Sequence, residues 1–261
     1  MCLDCGCGDA ESVPVELQQR LLVQNLRVAQ HNRDHFFERG VLALNLMGAP
    51  GSGKTALLEA TARLAGTRLR LGAVSGDLAT DHDGERLRKA GIPALTITTG
   101  TACHLDARLV HDALHDFPLD GVDVFFLENV GNLVCPANVD LGQSANVVAL
   151  SITEGEDQPL KYPAMFHAAD LVLLTKLDLL PALPGLRVEA FAEALARVNP
   201  AARLIQVSSR SLVGMAQWLS WLEALRTATR AVDLSPVGPR PFAPFAAPSG
   251  AALASRERKS T

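Results

Sequence analysis

The segment Gly48-Ala49-Pro50-Gly51-Ser52-Gly53-Lys54-Thr55 constrains this chain more than any other, because it fits the phosphate-loop pattern G-x-x-x-x-G-K-(S/T) and follows directly on the apolar run Leu42–Met47. The glycines let successive backbone N–H groups curl around a phosphate that a Cβ would obstruct. Gly48, Gly51, Ser52, Gly53, Lys54 and Thr55 are the candidate nucleotide ligands. Lys54 places a cation between the β- and γ-phosphates, Thr55 offers a hydroxyl to Mg²⁺, and the following helix turns its positive N-terminus to the anion. A strand, a glycine-rich turn and a helix in that order predict a nucleotide-binding α/β domain.

The rest of the pattern agrees. Short apolar runs recur at Leu69–Val74, Ala94–Ile97, Val122–Leu127, Val147–Ile152, Leu171–Leu174 and Leu204–Val207. Amphipathic stretches separate them, at Ala56–Ala65, Glu85–Ala90, Ala107–Leu114, Val188–Val198 and Met215–Ala228. Alternation of this kind predicts a doubly wound, mostly parallel sheet of about seven strands. Ahead of it, apolar positions from Val15 to Glu38 follow helical spacing, with Gly40 as the stop. The reading divides the chain into a tail (1–12), a helix (13–40), a nucleotide-binding domain (41–230) and a Pro- and Ala-rich tail predicted to be disordered (231–261). With 24 basic against 28 acidic residues, the chain lacks the electrostatic footprint of a nucleic-acid or anionic-membrane binder. No apolar run approaches the roughly 18–20 residues that span a bilayer, and Met1-Cys2-Leu3-Asp4 does not open like a secretory signal. A cytoplasmic location is the expectation.

Thr175-Lys176-Leu177-Asp178, at the end of a strand, is similar to the guanine-reading N-K-x-D of GTPases. Asp178 can accept two hydrogen bonds from the N1–H and 2-amino group of guanine, and the Lys176 stem packs along the base. Thr stands where the pattern has Asn, which keeps a hydroxyl for local bracing but loses the second bonding group. The same residues also suit a strand end with a capping Asp. Val207-Ser208-Ser209-Arg210 occupies the place of a base-supporting loop. Only 5 of the 24 basic residues are Lys, so Lys161, in Glu154–Pro163, is a third candidate nucleotide contact, with a solvated loop cation as the alternative. Asp77 and Glu128, each at the end of a predicted strand, are the candidate Mg²⁺ or water-positioning acids. Spacing does not divide those roles.

Five Cys, three of them at Cys2, Cys5 and Cys7, do not suit a disulfide framework. Three thiolates and the α-amine freed by loss of Met1 could wrap Ni²⁺ in square-planar geometry or Zn²⁺ in a tetrahedron. Cys103-His104 and Cys135 follow two predicted strands at the edge where ligands bind in open α/β sheets. Small buried hydrophobes are the alternative for both Cys.

Taken together, Met1–Gly8, the phosphate loop, Gly76–Asp83, Thr99–Ala107, Glu128–Ala137, Thr153–Pro163 and Thr175–Pro181 resemble the HypB family of hydrogenase nickel-incorporation GTPases. The resemblance runs from residue 1 to about residue 225. It implies a slow GTPase that dimerises through its nucleotide domain, with Lys54, Asp77 and Glu128 in the catalytic machinery. It also implies a Ni²⁺ site at Cys2, Cys5 and Cys7, and an interfacial Ni²⁺ or Zn²⁺ site at Cys103, His104 and Cys135. Nickel delivery to the [NiFe]-hydrogenase large subunit, with the small zinc-containing nickel chaperone HypA as partner, is the implied role. Two competitors remain at this point. A urease-accessory GTPase would carry Cys-Pro-His where this chain has Cys135-Pro136-Ala137, and a metal-storage protein would not turn over GTP.

Overall fold

The computed structural model describes residues 15–231. Cys2, Cys5 and Cys7, and the tail beyond Ala231, lie outside the described residues. Seven strands form one sheet: β1 (Leu42–Met47), β2 (Leu71–Asp77), β3 (Ala94–Thr98), β4 (Val124–Glu128), β5 (Ala145–Ser151), β6 (Leu171–Thr175) and β7 (Arg203–Gln206). Their order is β3-β2-β4-β1-β5-β6-β7 and every pairing is parallel. The predicted doubly wound sheet is therefore present, and it is wholly parallel.

Parallel sheets are covered on both faces, so their strands read as continuous apolar runs, yet the side-chain period of two still sorts the residues. In β1, Leu42, Leu44 and Leu46 enter one core layer, while Ala43 and Met47 enter layers on the opposite face. Leu57, Leu58 and Trp218, from α2 (Lys54–Ala65) and α8 (Met215–Ala231), cover the first face. The second face is covered near β4 by α1 (Val15–Glu38) and α4 (Ala107–Asp116), and near β6 by α7 (Val188–Val198). On α1, Ala29, Asn32 and Phe36 are buried at helical spacing, and Phe36 meets Phe125 of β4. Asn32 anchors the helix by donating to the carbonyls of Ala107 (2.9 Å) and Leu141 (3.1 Å).

The chain winds to one side of β1 through β2, β3 and β4, then to the other through β5, β6 and β7. This reversal opens a crevice at the carboxyl ends of β1 and its neighbours. Every candidate site residue among the described residues ends or follows a strand at this end. No helix among the described residues is long and apolar enough to cross a membrane.

Candidate functional site

The phosphate loop is held by close backbone approach. Gly48 has φ +146°, and a Cβ there would lie 2.3 Å from the Ala149 carbonyl oxygen. Only glycine fits both constraints. Lys54 is buried, and its Nζ donates to the loop carbonyls of Gly48 (3.2 Å) and Ala49 (3.3 Å). Burial pushes its pKa down, and the nearby Glu128 charge opposes that shift. Ser52 Oγ is buried with no hydrogen-bond partner.

Glu128 ends β4 at the floor of the crevice. Its Oε1 accepts from Thr55 Oγ1 at 2.7 Å, and Ser75 Oγ lies 3.5 Å from its other oxygen. Burial disfavours the carboxylate and pushes its pKa up to about 7, against the Thr55 hydrogen bond and the Lys54 charge. Asp77 is in a different setting. Its Oδ1 accepts from the Ala79 and Thr80 N–H groups and the Thr80 hydroxyl, and these bonds hold its pKa down. One acid is thus poised near neutrality and the other stays ionised. Both line a cavity of about 470 Å³ with the phosphate loop, Asp83 and Arg86.

On the far side of the loop, Thr175 Oγ1 donates to the Ser52 carbonyl at 2.6 Å. The bracing expected of this hydroxyl therefore reaches the phosphate loop itself. Lys176 adopts a left-handed conformation, φ +60°. Asp178 Oδ1 accepts from Ser208 Oγ at 2.6 Å, and Ser208 is fully buried. Ser208 Oγ in turn accepts from the Ser211 N–H at 3.0 Å. The loop after β7 thus fixes the Asp178 carboxylate. Lys161 ends the short helix α5 (Gln158–Lys161), is exposed, and pairs with Asp157 at 2.9 Å.

Cys103, His104 and Cys135 come together, with their ligand atoms all within 4.8 Å of one another and each residue half-buried. Cys103 Sγ lies 3.6 Å from His104 Nδ1. Neither Cys is in a disulfide. Asn132 joins this cluster to the phosphate loop. Its N–H donates to the Gly48 carbonyl at 3.2 Å, the same oxygen that Lys54 contacts. Its side chain donates to the Cys103 carbonyl and accepts from the N–H groups of Val134 and Cys135. Next to it, Gly131 lies so near the loop that a Cβ would be 2.9 Å from Pro50 Cα. Asn129 completes the link, since its Oδ1 accepts from the N–H of Leu105, beside His104.

Sequence reasoning did not single out Asn129, Asn132 or Arg86. The two Asn carried a signal, standing inside the Glu128–Ala137 segment, but Asn in a loop usually reads as a turn residue. Arg86 reads as one more charge on α3 (His82–Lys89), though its guanidinium bonds both oxygens of Glu59.

Sheet order, phosphate loop and acid placement define a P-loop nucleotide-binding domain, and the model of the CobW/HypB/UreG nucleotide-binding domain matches residues 42–206. The chain is 50% identical over 223 residues to hydrogenase maturation factor HypB of Azotobacter chroococcum mcd 1, covering 85% of this chain and 72% of that protein. With the probable hydrogenase maturation factor HypB of Methanocaldococcus jannaschii the identity is 37%, over 80% of this chain and 94% of that one. HypB of Archaeoglobus fulgidus superposes with a TM-score of 0.73 at 39% identity, covering 78% of this chain and all of that chain. HypB of Helicobacter pylori in complex with nickel gives 0.75 at 36%, covering 82% and 100%. The chain belongs to the HypB family of hydrogenase maturation factors.

Proposed function

We propose that this chain is a GTP-hydrolysing nickel chaperone that delivers Ni²⁺ to the large subunit of a [NiFe]-hydrogenase in the cytoplasm. The observation that carries the reading is the bond network of Asn132, which ties the phosphate loop to the Cys103–His104–Cys135 cluster. A loop that moves with the γ-phosphate then moves two metal ligands. About 1.4 kcal/mol of differential binding suffices to change metal affinity tenfold.

Each part has its chemistry. Ser52 Oγ, buried and without a partner, has the orphaned hydroxyl that a phosphate oxygen would satisfy. Thr55, Glu128 and Asp77 supply the hydroxyl and carboxylate oxygens that suit Mg²⁺, which when bound neutralises charge on the β- and γ-phosphates. Lys54 gives the fixed cation for the γ-phosphate, and Asp77, held ionised by backbone N–H groups, orients the attacking water. Asp178 and Lys176 read guanine. The half-buried Cys₂His set suits Ni²⁺ or Zn²⁺ and leaves coordination positions open for a second protomer or for exchange. Cys2, Cys5 and Cys7 form a second nickel site in a tail spanning 1–12, and residues 41–230 form the GTPase domain. A homodimer, HypA and the hydrogenase precursor are the partners. The nickel complex of the Helicobacter pylori relative supports nickel as the cargo.

The test is nickel release. The Ni²⁺-loaded chain is mixed with a chromogenic chelator and GTP, GDP or a non-hydrolysable GTP analogue. GTP is expected to accelerate transfer and Lys54→Ala to abolish the acceleration; equal rates in all arms would refute the proposal.

A further inference from the structure

The crevice carries a second cation. Of the residues that line it, Lys54 and Arg86 bear positive charge. Lys54 belongs to the phosphate loop, whereas Arg86 stands on α3, the helix that follows the Asp77 loop. At Glu128, where burial raises the pKa, the Arg86 charge opposes that shift together with the Thr55 bond and the Lys54 charge. Arg86 therefore acts on the acid at the crevice floor, yet the nucleotide reading gives it no role.

The other cations of α3 are engaged elsewhere. Arg88 bonds Asp81 and the Ala94 carbonyl, and Lys89 bonds Glu85 one turn earlier at 3.2 Å. Arg86 is held at the crevice wall. Its Nε and Nη2 donate to the two oxygens of Glu59 on α2, each at 2.9 Å, and its Nη1 donates to Asp83 at 3.2 Å. A guanidinium has five N–H groups, so these bonds leave one N–H on each Nη for a further acceptor. The Arg86 and Glu59 side chains are 34% and 32% exposed. Ion pairs in contact with solvent are weak and readily exchanged.

Hydrolysis calls for a cation that engages late. The water oxygen bonds the γ-phosphorus, the bond to the β–γ bridging oxygen breaks with its electron pair left on GDP, and the water proton passes to the released phosphate. Charge spreads over the γ-oxygens and grows on the bridging oxygen along that path. Lys54 is a point charge fixed in the loop, whereas a planar guanidinium can bond two oxygens at once. A contact made only in the transition state raises kcat without tightening substrate binding.

We propose that Arg86 is a further catalytic residue, a guanidinium held by Glu59 and Asp83 that transfers to the γ-phosphoryl oxygens in the transition state. The inference rests on the reading of the chain as a GTPase. Because α3 follows the Asp77 loop, the acid that orients water and the cation that meets the developing charge lie on one segment, residues 77–86. Glu59 is tied to the same machinery, since α2 begins at Lys54.

Arg86→Gln removes the charge and keeps an amide that can donate to Glu59. It is expected to lower kcat for phosphate release roughly 30-fold or more, with KM changed by no more than about twofold. Binding of GDP with aluminium fluoride and Mg²⁺, which mimics the transition state, should weaken at least about tenfold by calorimetry, while GDP alone binds as it does to the wild type. Glu59→Ala removes the holding carboxylate and leaves the cation, so turnover stays at or above the wild-type rate. A role confined to clamping α3 to α2 predicts otherwise: Glu59→Ala then loses turnover as Arg86→Gln does, and that result would overturn the inference. So would wild-type kcat in a folded Arg86→Gln. If Arg86→Gln does not fold, Arg86→Lys, which keeps the charge but not the fork, is read in its place and should lose kcat about tenfold. Absence of GTP turnover in the wild type would overturn the GTPase reading and this inference together, whereas an active wild type with unchanged Arg86 variants overturns the inference alone.

Discussion

Glu128→Gln should stabilise the nucleotide-free protein while disabling it. Gln keeps the shape of the side chain and an oxygen to accept from Thr55, and it resembles the protonated acid. The wild-type carboxyl is raised by burial from its ordinary 4.5 to about 7. Between those values the folded state holds a proton that the unfolded state has released, so stability falls as pH rises from about 4.5 to 7 and is level above that. At about 1.4 kcal/mol per pH unit, the full cost is about 3 kcal/mol at pH 8 and under about 1 kcal/mol at pH 5. Gln does not bear this cost. For a domain of this size, 1 kcal/mol moves Tm by roughly 2–4 °C, so the variant should melt about 6–12 °C higher at pH 8. Thermal unfolding by circular dichroism in EDTA, without nucleotide, from pH 5 to 8.5 measures the gap. Mg²⁺-dependent turnover should be lost in the same variant, as expected where a site retains a destabilising group for its chemistry. A variant no more stable than wild type at pH 8, or a gap that does not shrink on acidification, would refute the reasoning.

Other outcomes follow from the same contacts. Lys54→Ala should reduce GTP turnover at least 100-fold in a phosphate-release assay, because Lys54 is the cation that the phosphate loop itself holds against the γ-phosphate charge. Ser208→Ala frees the Asp178 carboxylate from its 2.6 Å bond, and should weaken guanine nucleotide binding several-fold by calorimetry with the fold intact. Asn132→Ala removes the three side-chain bonds that tie Asn132, whose own N–H holds the phosphate loop, to Cys103, Val134 and Cys135; metal still binds, but nucleotide no longer changes its affinity in a metal titration.

Much of this architecture is legible in the sequence because its determinants are local. The strands read as apolar runs since a parallel sheet is covered on both faces, and the α1 and α7 boundaries at Val15–Glu38 and Val188–Val198 coincide with their periodicity. β1 matches at both ends, and the other strand ends differ by at most three residues. Leu69 and Val122 are buried but lead into β2 and β4, because burial continues where the hydrogen-bond ladder has not begun. Lys54, Thr55 and Glu128 announce themselves through spacing. Ser208 lies in the segment read as a base-supporting loop, but its bond to Asp178, 30 residues earlier, and the bond of Asn132 to Cys103, 29 residues earlier, arise from contacts between segments and are not legible in spacing. Lys161 stands out by its rarity and its segment, and it pairs with Asp157 four residues before it.

The central claim is that metal and nucleotide are coupled through the nucleotide domain. Its most direct test is a pair of titrations on the chain carrying Cys2→Ser, Cys5→Ser and Cys7→Ser, which isolates Cys103, His104 and Cys135 from the tail. Zn²⁺ or Ni²⁺ is titrated with GDP or a GTP analogue bound, and each nucleotide is titrated with and without the metal. Linkage requires that the factor by which nucleotide changes metal affinity equal the factor by which metal changes nucleotide preference. A matching factor of fivefold or more in both directions, lost in Asn132→Ala, is the predicted result. Equal metal affinity in the GDP and GTP-analogue arms would contradict it.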